Sequence, residues 1–460
     1  MPPQEIEGER RFVSPTMTSG TDETTLHQSS NGRHDPHHTI INTNSNGNDE
    51  NDYEDEDDDD CHFYFLSKQA ARELPRFQYQ GEDLSLLYKY VLSPLATFCV
   101  YRLTPVWLAP NSITLIGLIF MVIAYSVMWY YAPLVEYAEE LPRWIFLLNG
   151  VAILVYQTLD NMDGKQARRT GNGSPLGLLF DHGCDAVNNI FGSANWMISM
   201  ALHPVLDVYL CASVLFGPYA LFFFGTWEEY YTGKLIMPII NGPNEGLMGG
   251  AIMSFISWWF GPRVWHATHA WDSVLYPLLS TVLPGTWLPS EGLRNTDCLV
   301  LFATYTFFAE PLSKTISVVR RYGIQTLMLL LPFLTLLVCA VVVARADLNV
   351  WLEMPRTSLH LCAALFVEMT VDLMMAHMTL QPYQAWRWPL APLVVLAGLV
   401  GTGQWTASRT TADFLLIYTS SVCTYLVFKT VVTIHEICCV LNIWCFDITN
   451  KRPPRKYKKA

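Results

Sequence analysis

Residues 144–185 read WIFLLNGVAILVYQTLDNMDGKQARRTGNGSPLGLLFDHGCD: an apolar run, a short connection rich in charge and glycine, and a second apolar run that opens among acids. The first run covers Trp144 to Thr158 and the second continues to about residue 201. Apolar blocks of this kind, about 17–25 residues long, are the length a helix needs to cross a bilayer. They recur on both sides, at 111–131 before the quoted stretch and at 206–226, 245–260, 298–318, 325–345, 357–377, 389–404 and 413–435 after it. The pattern predicts an all-α polytopic membrane protein with about ten transmembrane helices.

Composition agrees. Of 460 residues, 51% are hydrophobic and 15% charged, whereas a soluble domain carries about 25% charged residues. The net charge of -12 is concentrated in the run Asp49, Glu50, Asp52, Glu54, Asp55, Glu56, Asp57, Asp58, Asp59 and Asp60, and falls to -2 once those ten are set aside. The acidic run belongs to a polar segment, residues 1–75, with too little apolar surface to offset the entropy of ordering, so a disordered cytoplasmic tail is expected there. No large basic patch exists for a nucleic acid. Eleven cysteines fall largely inside apolar blocks and read as small buried residues rather than a disulfide framework. The adjacent Cys438 and Cys439 follow an apolar run and suit palmitoylation.

The remaining organisation follows from the same patterning. Residues 80–108 mix apolar and polar positions at helical spacing and predict an amphipathic helix lying in the interface. Residues 109–226 are expected to form a first group of core helices, 227–446 the remaining helices, and 447–460 a basic tail. A Trp-, His- and Pro-rich loop over 261–297 suits the headgroup level. Lys165, Arg168 and Arg169, together with the terminal KRPPRKYKKA, place both the connection and the chain ends in the cytosol. Eight predicted spans separate these two basic stretches, an even number, as that topology requires.

Function is concentrated in Asp160, Asp163, Asp181 and Asp185. Each ionised carboxylate at the membrane costs on the order of 2.5–3.5 kcal/mol on insertion scales. Asp160 and Asp163 are spaced i,i+3 and Asp181 and Asp185 i,i+4, so each pair shares a helical face. A short connection makes the two helices antiparallel neighbours, and four convergent carboxylates repel unless they hold cations. Oxygen ligands select Mg²⁺, Mn²⁺ or Ca²⁺. Gly164 and Gly177 permit close approach to the backbone, and Lys165, Arg168 and Arg169 add positive charge, which together describe a phosphate or pyrophosphate cradle. A purely structural Asp–Arg helix pair is the simpler alternative. A divalent-cation transporter is the alternative of another class, but it would spread acids over several spans and depths.

The spacing D-x-x-D-G-x-x-A-R, eight residues, then G-x-x-x-D-x-x-x-D, filled here by Asp160, Asp163, Gly164, Ala167, Arg168, Gly177, Asp181 and Asp185, resembles the signature of the CDP-alcohol phosphotransferase family. APNSITLIGL at 109–118, SPLGLLFDHGCD at 174–185 and AHMT at 376–379 are similar to its choline/ethanolamine branch. The resemblance implies that fold, and transfer of phosphoethanolamine or phosphocholine from a CDP-aminoalcohol to diacylglycerol or an ether-lipid acceptor, with release of CMP. It implies two Mg²⁺ or Mn²⁺ ions on the four aspartates, and Asn111, Gly164, Ala167 and Gly177 around the nucleotide. Lys165 and Arg168 would support the phosphates. His182, inside the metal motif, is the first candidate for general base, ahead of Asp185, His377 and Glu245, and Glu245 is a candidate to orient it. Trp227, Tyr230 and Tyr231, with Glu228 and Glu229, are candidates for the aminoalcohol end. An inositol or glycerol-phosphate acceptor is the nearest rival reaction, and an inactive scaffold a further one. The resemblance also implies a homodimer, and Lys456 and Lys458 resemble an endoplasmic-reticulum retrieval signal, with the Golgi a second possible address.

Overall fold

The computed structural model describes residues 63–133, 141–203, 206–268, 272–282, 292–346, 354–405 and 409–450. The acidic run and residues 451–460, with Lys456 and Lys458, lie outside the described residues. Every one of the ten apolar blocks falls on a helix. In chain order the elements are α1 (Lys68–Glu73), β1 (Gly81–Asp83), α2 (Ser93–Arg102), α3 (Pro110–Tyr131), α4 (Arg143–Thr170), α5 (Pro175–Ser199), α6 (Val208–Thr232) and β2 (Leu235–Met237). They continue with α7 (Leu247–Phe260), α8 (Asp272–Val282), α9 (Asn295–Tyr322), α10 (Leu331–Ala346), α11 (Pro355–Met378), α12 (Ala391–Gly401) and α13 (Arg409–Leu441).

Among the described residues six helices are long and apolar enough to cross a bilayer: α3, α4, α6, the 3₁₀-to-α run Ile324–Arg345, α11, and Thr411–Leu441 within α13. Two others, α5 and α9, are long but carry charge, the aspartates in α5 and Glu310, Lys314, Arg320 and Arg321 in α9. The last two, α7 and α12, span only 14 and 11 residues. The chain is an integral membrane protein, with large apolar side chains such as Phe302, Phe308, Val395 and Val427 facing outward.

Helix α11 is the centre of the bundle, with 78% of its apolar window buried. It packs on α5, α6, α10 and α13, while α3 lies along α4 and α5, α4 on α7, and α6 on α9. Aromatic stacking fixes the middle: Tyr219 on Phe366 with ring centroids 4.5 Å apart, and Phe223 on Phe333 at 4.9 Å. A buried ionic group ties α11 to α13, with Lys429 Nζ 2.9 Å from Glu368 and 2.6 Å from Asp372. Arg387, just before α12, forks onto the same two carboxylates.

Two boundaries differ from expectation. The ordered chain begins before residue 75: Leu66, Ala70 and Leu74 are buried against Ile437 and Cys438. Glu436 accepts hydrogen bonds from the backbone N–H groups of Tyr64 (2.5 Å) and Leu66 (2.9 Å), which holds the segment. Within the expected helix 80–108, only residues 86–102 are helical. Gly81–Asp83 instead forms a parallel pair with Leu235–Met237. Helical periodicity cannot register a three-residue strand whose partner lies some 150 positions away.

Candidate active site

The α4–α5 turn is set by local chemistry. Gly171 takes a left-handed conformation (φ 67°) and its N–H closes the α4 carbonyls of Ala167 and Arg168, a conformation that glycine adopts without Cβ strain. Three residues later Ser174 caps α5, its Oγ accepting from Gly177 N at 3.1 Å, with Pro175 at the first helical position. The hairpin turns the two acid pairs toward each other.

Asp160, Asp181 and Asp185 each offer a carboxylate oxygen within 4.8 Å of the others. Tyr156 O–H donates to Asp185 Oδ1 at 2.5 Å, and Thr114 O–H makes a short hydrogen bond to Asp163 Oδ2. Asp160 Oδ1 and Asp181 Oδ1 are buried and have no hydrogen-bond partner among the described residues. A buried carboxylate oxygen without a donor is costly, so two in one acidic cluster suit cation ligation. The cluster is able to bind a metal.

All four aspartates line a cavity of about 640 Å³, with His182, Gly164 and Arg168. Its other walls come from β1, β2, the residues around Asn244, and Leu221, Phe222 and Phe307 of α6 and α9. His182 sits edge-on between two rings, Tyr79 at 6.0 Å and Phe222 at 6.5 Å.

Asn111, Lys165, Ala167, Gly177 and Glu245 are not in the wall of this cavity. Asn111 and Gly177 do meet: a Cβ built on Gly177 would stand 3.6 Å from Asn111 Oδ1, and Asn111 Nδ2 donates to the Cys445 carbonyl at 3.0 Å. Lys165 Nζ is used by Ser93 Oγ of α2 at 2.8 Å. Glu245 does not reach His182; its Oε1 accepts from Ser85 Oγ (2.6 Å) and its Oε2 from Asn241 N (3.0 Å). His377 instead faces Glu229, 3.8 Å away.

The aromatic candidates lie elsewhere too. Trp227 is fully buried and donates to the Thr326 carbonyl, Tyr230 O–H reaches the Gln381 carbonyl, and Tyr231 packs on Tyr322. Glu228 is taken by Lys314 Nζ at 2.5 Å. The residues that sequence reasoning missed are Thr114, Tyr156 and Tyr79. Tyr156 had a signal, standing one helical turn before Asp160, and Thr114 stands three residues after Asn111.

The sequence profile of the CDP-alcohol phosphatidyltransferase family matches residues 107–238. Choline/ethanolaminephosphotransferase 1 of Arabidopsis thaliana is 32% identical over 407 residues, covering 84% of this chain and 99% of that protein. The chain belongs to the CDP-alcohol phosphatidyltransferase family. An uncharacterized class-I member of the family from Dictyostelium discoideum is 31% identical over 84% of this chain and 99% of its own length. Cholinephosphotransferase 1 of Xenopus laevis is 30% identical over 69% of this chain and 76% of its own. The chain is therefore an enzyme of this family, working on a CDP-alcohol and a lipid acceptor in the membrane.

Proposed function

We propose that the protein transfers phosphocholine or phosphoethanolamine from the CDP-aminoalcohol to diacylglycerol or an ether-linked analogue, releasing CMP. The observation that carries this reading is the convergence of Asp160, Asp181 and Asp185 on one cavity wall with two buried oxygens unpartnered. The names of the Arabidopsis and Xenopus relatives supply the aminoalcohol branch. The clustering of acids at one end of two helices speaks against a cation-transport path, which would need them at successive depths.

Asp160, Asp163, Asp181 and Asp185 would hold two divalent ions, Mg²⁺ or Mn²⁺. Bound there, the ions would neutralise the pyrophosphate and stabilise charge on the departing CMP oxygen. Arg168, in the same wall, pairs with phosphate oxygens. An imidazole nitrogen of His182 takes the proton of the acceptor hydroxyl as it attacks phosphorus; Tyr79 and Phe222 leave the ring little freedom to turn. Thr114 and Tyr156 fix the carboxylates they touch. Glu245 holds the segment around Ser85 against the site rather than taking part in proton transfer. The apolar wall of Leu221, Phe222 and Phe307 admits the acyl chains of the acceptor.

The site and both chain ends belong on the cytosolic side, by the basic residues Lys165, Arg168 and Arg169, in an endoplasmic-reticulum membrane and in a homodimer. Purified protein in lipid nanodiscs, offered diacylglycerol with CDP-choline or CDP-ethanolamine, should form the phospholipid and CMP only with Mg²⁺ or Mn²⁺ present. Product from neither donor would refute the proposal, as would full activity in excess EDTA.

A further inference from the structure

The strap that runs from α1 to α2 brings one side chain to the site that no sequence motif announced. Tyr79 lines the cavity beside the aspartates, with its ring edge-on to His182. It is 44% accessible, and its hydroxyl has no hydrogen-bond partner among the described residues. A phenol with its ordinary pKa of about 10 is protonated at neutral pH, so the group is available as an O–H donor.

The chain is built to put it there. A Cβ on Gly81 would lie 2.3 Å from the Tyr79 hydroxyl and 2.5 Å from its ring, so only glycine at 81 allows this seat. Beyond Gly81 the strap is fastened three times. Gly81–Asp83 pairs with Leu235–Met237, Asp83 Oδ2 accepts from Asn244 Nδ2 at 2.7 Å, and Ser85 Oγ donates to Glu245 Oε1 at 2.6 Å. Three independent fastenings around a residue that itself bonds to nothing are more than packing requires. They describe a donor held ready for a ligand, in a cavity it shares with the aspartates, His182 and Arg168.

We propose that the Tyr79 hydroxyl is a substrate contact that donates a hydrogen bond to a non-bridging oxygen of the phosphoryl group being transferred, and that Gly81 and the strap exist to hold it in place. A neutral donor can meet growing negative charge there without competing with the carboxylates for a cation. This inference rests on the phosphotransferase reading above.

The test is a double-mutant cycle on the full-length protein in nanodiscs, using CDP-choline, CDP-ethanolamine and diacylglycerol. Loss of one positioned donor to a developing oxyanion typically costs a factor of about 100 or more in kcat. Tyr79→Phe should therefore lower kcat about 100-fold, with the KM for diacylglycerol changed less than about threefold and the melting temperature unchanged. Gly81→Ala keeps the hydroxyl but must displace it, and should show a similar loss. The double variant should be no worse than Tyr79→Phe, because both changes remove one interaction.

A Tyr79→Phe enzyme within twofold of wild type overturns the proposal, and so does a double variant whose loss is the product of the two single losses. Should Tyr79→Phe lower the melting temperature as well, a kcat recovered at low temperature, where the variant is folded, also overturns it. A wild-type protein inert toward both donors would overturn the phosphotransferase reading itself, which separates the two failures.

Discussion

Tyr156→Phe removes one oxygen atom and tests the metal site without touching a metal-holding carboxylate. The Tyr156 hydroxyl donates to Asp185 Oδ1 at 2.5 Å, and Tyr156 is 1% exposed, so the variant leaves an apolar ring edge where the donor stood. A hydrogen bond to a charged group contributes about 1.5–3 kcal/mol, which at about 1.4 kcal/mol per decade is a factor of roughly 10–150. Groups that orient a metal ligand from behind typically change affinity or activity about 10–100-fold when lost, so two separate routes give the same range. The Mg²⁺ or Mn²⁺ concentration for half-maximal transfer should rise by that factor in Tyr156→Phe, with most of kcat returning at saturating metal. The assay is CMP release in nanodiscs across a metal titration. A metal requirement within twofold of wild type would refute the assignment of Asp185 as a cation ligand held by Tyr156.

Other consequences are open to direct measurement. Asp181→Ala should abolish metal-dependent turnover while the protein remains folded by circular dichroism, and His182→Ala should abolish turnover but retain CDP-aminoalcohol binding by calorimetry. Arg387→Met leaves Glu368 and Asp372 with Lys429 alone, and should lower stability by about 3–5 kcal/mol, read as the unfolding midpoint in detergent. Gly250→Ala would place a Cβ 1.9 Å from the Trp196 indole nitrogen, so the Trp196 ring or the α5–α7 packing must give way and the melting temperature should fall. An unchanged melting temperature would show that Trp196 moves freely.

The helices and the acid pairs were legible because both signals are local. A bilayer-length apolar block needs no partner to be recognised, and carboxylates three or four residues apart declare a shared face. The shortness of the connection between the pairs was legible too, and it made the two helices antiparallel neighbours; the cap at Ser174 and the left-handed turn at Gly171 came only with the structure. What escaped depends on pairing between distant residues. Glu245 sits beside a glycine in a polar turn and reads as a residue to orient His182 or to share its role as base, and the structure shows its oxygens bonded to Ser85 and Asn241. Trp227, Tyr230 and Tyr231 stand as candidates for the aminoalcohol end because aromatic clusters serve ligands and packing alike, and only the folded chain shows that they join α6 to its neighbours. Lys165 lies inside the motif but points to Ser93 of α2.

The grip of Glu436 on Tyr64 and Leu66 joins positions 372 and 370 residues apart in the chain. During synthesis that carboxylate follows the backbone it holds by some 370 residues. Gly81–Asp83 can pair with Leu235–Met237 as soon as those residues are made, so one end of the strap is fastened early and the other, at Tyr64 and Leu66, late. A chain stalled before α13 would hold its aspartates in the membrane while Tyr64 and Leu66 had no carboxylate to close on.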